Sequence, residues 1–190
     1  RDVTSDKAIC EYATKVLSDA DMWITWYGRR FDVPFLQTRC IANGMKVLPP
    51  TPHIDGWEIA RYKMKLHANR LMSVSQFLGL PEKTPILPEI WVQARSGNRK
   101  ALDYIVEHCD RDVEILELAY LAIVPLCTTH PNVHAVSGQT AQTCPVCGAA
   151  KLQRRGWRIA RVNRVQRYQC QKCGAWSSGR AERFKGVEVR

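Results

Sequence analysis

Two cysteine pairs constrain the chain most. "CPVCG" places Cys144 and Cys147, "CQKCG" places Cys170 and Cys173, and 22 residues lie between the pairs. Zinc takes four thiolates at tetrahedral corners about 2.3 Å from the ion, and each Cys-x-x-Cys turn supplies two adjacent corners. A glycine after each pair relieves backbone crowding in the turn. A redox pair is the competing reading, and two matched knuckles weigh against it. The expectation is a small β zinc ribbon over 144–180 holding one structural Zn2+, with every coordination position taken by protein and none open for catalysis. Cys10, Cys40, Cys109 and Cys127 have no such rhythm. They read as small core residues in a reducing compartment.

Between the knuckles runs "RRGWRIARVNRVQRYQ", with Arg155, Arg158, Arg161, Arg164 and Arg167 spaced by three and Trp157 and Tyr168 interleaved. In an extended strand a spacing of three alternates faces, so the arginines flank both sides of a hairpin turning near Val162 and Asn163. Guanidinium groups grip phosphates and aromatic rings stack on bases, which makes this hairpin a candidate nucleic-acid clamp. The charge distribution agrees. The net charge is +10, and residues 141–190 alone carry 12 Lys and Arg against 2 Asp and Glu, so the rest of the chain is balanced. A basic block of this kind attracts a polyanion, and a merely solvated basic tail over these last fifty residues is the bland alternative; 181–190 reads as a basic tail after the ribbon.

The remaining residues suit one packed core, with 45% of the chain hydrophobic. No run of about 18 apolar residues and no signal peptide is present, so the cytoplasm is the default location. Ser5 is a candidate cap for a helix with Ala8, Ile9, Tyr12, Val16 and Leu17 at helical spacing, closed by Asp19 to Asp21. "MWITW", 22–26, reads as a buried strand, followed by a turn and a helix from Asp32 to Gly44. "HID" reads as a strand leading into the helix "GWEIARYKMKL", and "MSVSQFLGL" as a short helix ended by Gly79 and Pro81. With Pro81, Pro85 and Pro88, residues 81–98 read as an irregular loop anchored by Trp91. From Asn98 to Leu126 the pattern is helical, broken or bent near Asp110, with Ile105, Val113, Leu116, Tyr120 and Ile123 inward. The turn-rich stretch 128–143 reads as a linker after a domain over 1–127.

Asp32 at a strand-to-helix turn, Asp55 after "HI" and Asp112 at an expected helix start can each be an N-cap and nothing more. Two-metal phosphodiester chemistry needs several carboxylates converging on hard cations, and acids at strand ends and on a facing helix can converge.

"WITWYGRRFDVPFLQTRC" resembles the second motif, and "YIVEHCDRDVEILELAYLAI" the third motif, of the DEDD 3′–5′ exonucleases with a ribonuclease H-like fold. "HIDGWEIARYKMKLHANRLMSVSQFLGL" resembles the segment between them. With "THPNV" and the ribbon, the combination is similar to prokaryotic and phage ribonuclease H-like proteins of predicted exonuclease activity. The resemblance implies that Asp32 and Asp112 hold Mg2+ or Mn2+. It also implies that His108, four residues before Asp112, takes a proton from the attacking water. Asp55 corresponds to a structural position.

Two departures accompany the resemblance. Family members usually have Asn near Tyr27, and the opening Asp-x-Glu motif has no counterpart in 1–21. The expectation is therefore an N-terminally incomplete α/β domain, mostly helices on the remaining strands, with "MWITW" as an unpaired aromatic edge. Such a chain binds at most one catalytic cation, weakly, and is inactive alone. The implied function is a metal-dependent 3′–5′ exonuclease whose ribbon grips nucleic acid, DNA in preference to RNA. The alternative is an inactive nucleic-acid-binding scaffold in a replication or recombination complex. A free-standing zinc-ribbon transcription factor leaves 1–127 unexplained.

Overall fold

A computed structural model describes residues 5–82, 84–137, 142–160 and 162–183. The chain divides into two compact units, Arg1–Ile123 and Val124–Arg190. Arg161 of the hairpin and residues 184–190 of the expected tail lie outside the described residues.

The first unit is mixed α/β. Helix α1 (Lys7–Ser18) precedes strand β1 (Trp23–Thr25), helix α2 (Asp32–Ala42), strand β2 (His53–Asp55) and helix α3 (Gly56–Lys63). Strands β1 and β2 pair in parallel, with Trp23 opposite His53, Ile24 opposite Ile54 and Thr25 opposite Asp55. A parallel pair needs a crossover, and α2 supplies it. Helices α4 (Leu71–Phe77), α5 (Pro88–Arg95) and α6 (Arg99–Ile123) follow, and α6 packs against α3, α4 and α5. The core gathers Trp23, Ile54, Ile59, Val74, Ile115, Ala119 and Ile123, all buried.

Several expectations need correction. Helix α5 occupies part of 81–98, where a loop was expected: Pro88 stands in its first turn, where a residue without an N–H loses nothing. Trp91 is 51% exposed, so it is not a buried anchor. Helix α6 runs unbroken through Asp110, so Asp112 sits in its interior and cannot be an N-cap. Val113 is exposed, and Ala101, Ile115, Ala119, Tyr120 and Ile123 form the buried stripe. The N-cap of α1 is Asp6, not Ser5, and Ile9, Tyr12 and Val16 face outward. Cys10 and Cys40 are buried as expected, whereas Cys109 is exposed.

Asp6 ties α1 to α2. Arg39 donates to it from Nε (2.5 Å) and Nη2 (2.9 Å), and Asn43 Nδ2 donates at 3.0 Å. The Arg39 and Asn43 donors hold its carboxyl well below the usual carboxylate range.

The second unit opens with a 3₁₀ turn (Val124–Leu126) and helix α7 (Val133–Ser137), followed by strands β3 (Leu152–Ala160), β4 (Asn163–Cys170) and β5 (Trp176–Arg183). These form an antiparallel sheet in the order β3-β4-β5. The hairpin turns between Ala160 and Asn163, as the arginine spacing predicts. The expected linker contains α7, whose Val133 N–H donates to the Pro145 carbonyl of the first knuckle (2.9 Å). Strand β5 extends the sheet to Arg183, beyond the expected end at 180. Among the described residues no helix is long and apolar enough to cross a membrane.

Candidate functional site

The loop between β1 and α2 is shaped by Asp55. This carboxylate is 3% exposed. Its Oδ1 accepts from the backbone N–H of Tyr27 (2.7 Å) and of Trp57 (3.0 Å), and its Oδ2 from Arg29 N–H (3.0 Å). It is thus the N-cap of α3 and also the staple of the loop before α2. Tyr27 is held in the left-handed region at φ 70°, a cost of roughly 1–2 kcal/mol for a residue with a Cβ, which the Asp55 bonds offset. Gly28 follows where a Cβ would meet the Thr25 side chain at 2.6 Å, so only glycine passes. Arg29 donates to the His53 carbonyl and pairs with Glu58 at 3.7 Å. The chain then enters α2 at Asp32, whose side chain makes no cap; Phe31 holds the N-cap position.

Asp32 faces a cleft of about 680 Å³ that is also lined by Asp112, Arg70, Tyr27, Trp57 and Leu116. Two acids eighty positions apart in the chain therefore share one concavity, because β1 delivers the α2 N-terminus to the side of the unit against which α6 lies. Arg70, which no sequence motif singles out, adds a cation to the same cleft. His108 stands one helical turn before Asp112, with Nε2 at 3.7 Å from Asp112 Oδ2. Its side chain is 12% exposed and lies outside the cleft lining, and its buried Nδ1 has no hydrogen-bond partner. Two carboxylates and a guanidinium lining one cleft are groups that a hard divalent ion and a phosphodiester can engage. Among the described residues, only the four ribbon cysteines form a cluster of three or more metal-ligating groups.

Those cysteines converge. The Sγ atoms of Cys144, Cys147, Cys170 and Cys173 all lie within 4.8 Å of one another, with Cys144 to Cys173 and Cys147 to Cys170 both 3.7 Å. A tetrahedron with Zn–S of about 2.3 Å has edges of about 3.8 Å, so the set fits one zinc ion. The two knuckles repeat one hydrogen-bond pattern. Cys144 N–H donates to Ala149 O and Gly148 N–H to Cys144 O; Cys170 N–H donates to Ala175 O and Gly174 N–H to Cys170 O. Gly148 and Gly174 sit at φ 73° and 74°, in the left-handed region where glycine meets no Cβ penalty. Burial pushes the Cys170 thiol up, but the backbone N–H groups of Cys173 and Lys172 and the thiols of Cys147 and Cys144 outweigh it and bring it down to about 7. Burial pushes Cys173 up to about 12. Four thiolates at this distance repel, and a shared cation is what would keep all four ionised.

Register assigns the hairpin side chains to faces. Ile159 lies opposite Arg164, Trp157 opposite Gln166 and Arg154 opposite Tyr168, and Arg164 pairs with Glu182 of β5, so these share one face. Arg158 lies opposite Val165, Arg167 opposite Ser178, Trp176 opposite Gln169 and Arg183 opposite Asn163, which defines the other face. Arg155 Nε donates to Gln169 Oε1 at 3.1 Å, on that second face. Each face carries one guanidinium stacked on an indole, Arg164 over Trp157 and Arg167 over Trp176, both 4.5 Å from the ring centroid. The sequence pattern anticipates arginines on both faces and misses Trp176.

No curated protein and no solved structure matches the chain. Residues 1–123 match a family model of the RNase H superfamily, RNase_H_2. That span contains Asp32, Asp112 and the cleft they share, and the chain belongs to the RNase H superfamily.

Proposed function

We propose that the cleft is a divalent-cation-dependent phosphodiester hydrolase centre of the DEDD 3′–5′ exonuclease type, and that the C-terminal sheet is a zinc ribbon that grips nucleic acid by its phosphates. The observation that carries the first half is the shared cleft: Asp32, Asp112 and Arg70 line it together. Asp32 and Asp112 would hold Mg2+ or Mn2+. When bound, the cation supplies positive charge for the oxyanion that develops at phosphorus and makes water more acidic. Arg70 offers a planar fork to the non-bridging phosphate oxygens. Tyr27 and Trp57, in edge-to-face contact with centroids 5.0 Å apart, form an aromatic wall against which a terminal base can rest. His108 lies outside the cleft lining, with Nε2 3.7 Å from Asp112 Oδ2; to serve as the base that the resemblance implies, its ring would turn toward the cleft when substrate binds.

Titration with Mn2+ tests the reading. Binding should broaden backbone signals around Asp32 and Asp112 and disappear in Asp32→Asn and in Asp112→Asn; unchanged signals would overturn it. A second reading, a binding scaffold without catalysis, is favoured by one observation: among the described residues no third ligating group joins the two aspartates. Incubation of a 3′-labelled oligonucleotide with saturating Mn2+ separates the two. Shortening that Asp112→Asn abolishes supports the hydrolase and overturns the expectation of inactivity without an Asp-x-Glu motif; an oligonucleotide bound yet intact supports the scaffold.

A further inference from the structure

The two faces of the β3-β4-β5 sheet differ in charge. On one face, Arg164 is neutralised by Glu182 at 3.1 Å. Glu182 is the only acid between Val124 and Arg183 in the sequence, and it lies on the face that also carries Trp157 and Tyr168. The opposite face carries Arg155, Arg158, Arg167 and Arg183, drawn from all three strands, and no acid. Trp176, 44% exposed, lies at the edge of this basic face.

We infer that the ribbon binds single-stranded nucleic acid on one face only, the face of Arg155, Arg158, Arg167 and Trp176. The inference rests on the proposed grip and specifies which face delivers it and to what. Unpaired arginines retain their full charge for phosphate, whereas Arg164 must first leave Glu182. Arg167 already sits over the Trp176 indole, 4.5 Å from the ring centroid, which restricts its rotamers and reduces the ordering cost of binding. The Gly156 bulge, at φ 72°, lets β3 gain a residue between Arg154 and Trp157. Without that extra residue, Arg155 and Arg158, three apart, would fall on opposite faces. A sheet face with a ring at its edge suits an unpaired strand, whose bases can splay and stack on it.

Equal-charge variants of the zinc-loaded full chain test this, read by anisotropy of a fluorescein-labelled oligothymidylate over a range of salt. Arg155→Gln with Arg158→Gln should weaken binding at least tenfold and lower the log–log salt slope by about 1.4, the loss of two single-strand phosphate contacts. Arg154→Gln with Arg164→Gln should change it less than twofold. Trp176→Leu should weaken binding and Trp157→Leu should not. Unlabelled duplex should compete less well than single strand. Zinc content near one per chain verifies each fold, and Arg158→Gln alone replaces any double variant that loses zinc. Equal losses from both faces, a larger loss from the Trp157 face, or equal competition by duplex would overturn the inference while leaving the grip intact. Failure of the unaltered protein to bind at all would overturn both.

Discussion

A carboxylate that accepts backbone N–H groups from two separate segments holds those segments together, and Asp55 does this for Tyr27, Arg29 and Trp57. Replacing it by alanine strands three donors in a buried site. The expected loss is about 3 kcal/mol, read as a lower urea midpoint, with weakened Mn2+ binding at Asp32 as the loop relaxes. Asp55→Asn, which keeps one acceptor, should lose less. A second residue-scale prediction concerns packing. Ile115 is fully buried on the inward stripe of α6, so Ile115→Ala should cost about 3 kcal/mol by transfer and cavity terms together, measured by the same unfolding experiment. Arg70 illustrates a residue hidden from sequence: a lone cation before a short helix carries no spacing signal. Only the tertiary meeting of α4 with α6 gives it meaning.

At the scale of elements, Asp6 makes the docking of α1 on α2 acid-sensitive. Its folded carboxyl is held below its ordinary value of 3.8, so the unfolded chain binds the proton first. The stabilisation is complete above that value and is lost progressively as pH falls below it. The thermal midpoint of the unaltered chain should drop more steeply below pH 3.8 than that of Asp6→Asn, and parallel curves would contradict the assignment. In the ribbon, Cys144→Ser or Cys170→Ser should reduce zinc from near one per chain. Chelation should strip hydrogen-exchange protection from β3 to β5, because the knuckles fix the ends of these strands. Full zinc retention in either variant would count against four-thiolate ligation. Much of this level was legible. An aromatic and β-branched run marked β1, "HID" was read as the short strand β2, the arginine period marked the β3-β4 hairpin, and the two Cys-x-x-Cys-Gly repeats marked both knuckles. Helix α5 was not, because three prolines read as breakers although Pro88 is tolerated at a first turn. Nor was α7, five residues long, too short for any periodicity to show.

For the whole molecule, the sequence divides charge from carboxylates: the basic excess lies after residue 140, and the candidate catalytic acids lie before it. Asp32 and Asp112 were individually legible as candidates, and their convergence followed only from folding. Helix α6 runs unbroken past position 110, which moves Asp112 from an expected cap into the wall of the cleft. Superfamily membership of residues 1–123 makes that wall the natural place to look for chemistry on nucleic acid. The central claim is that Asp32 and Asp112 share one divalent cation. Electron paramagnetic resonance of Mn2+ titrated into the zinc-loaded chain tests it most directly. One bound manganese beyond the ribbon metal, abolished by Asp32→Asn and equally by Asp112→Asn, is the predicted result; binding that survives either substitution, or none at all, would contradict it.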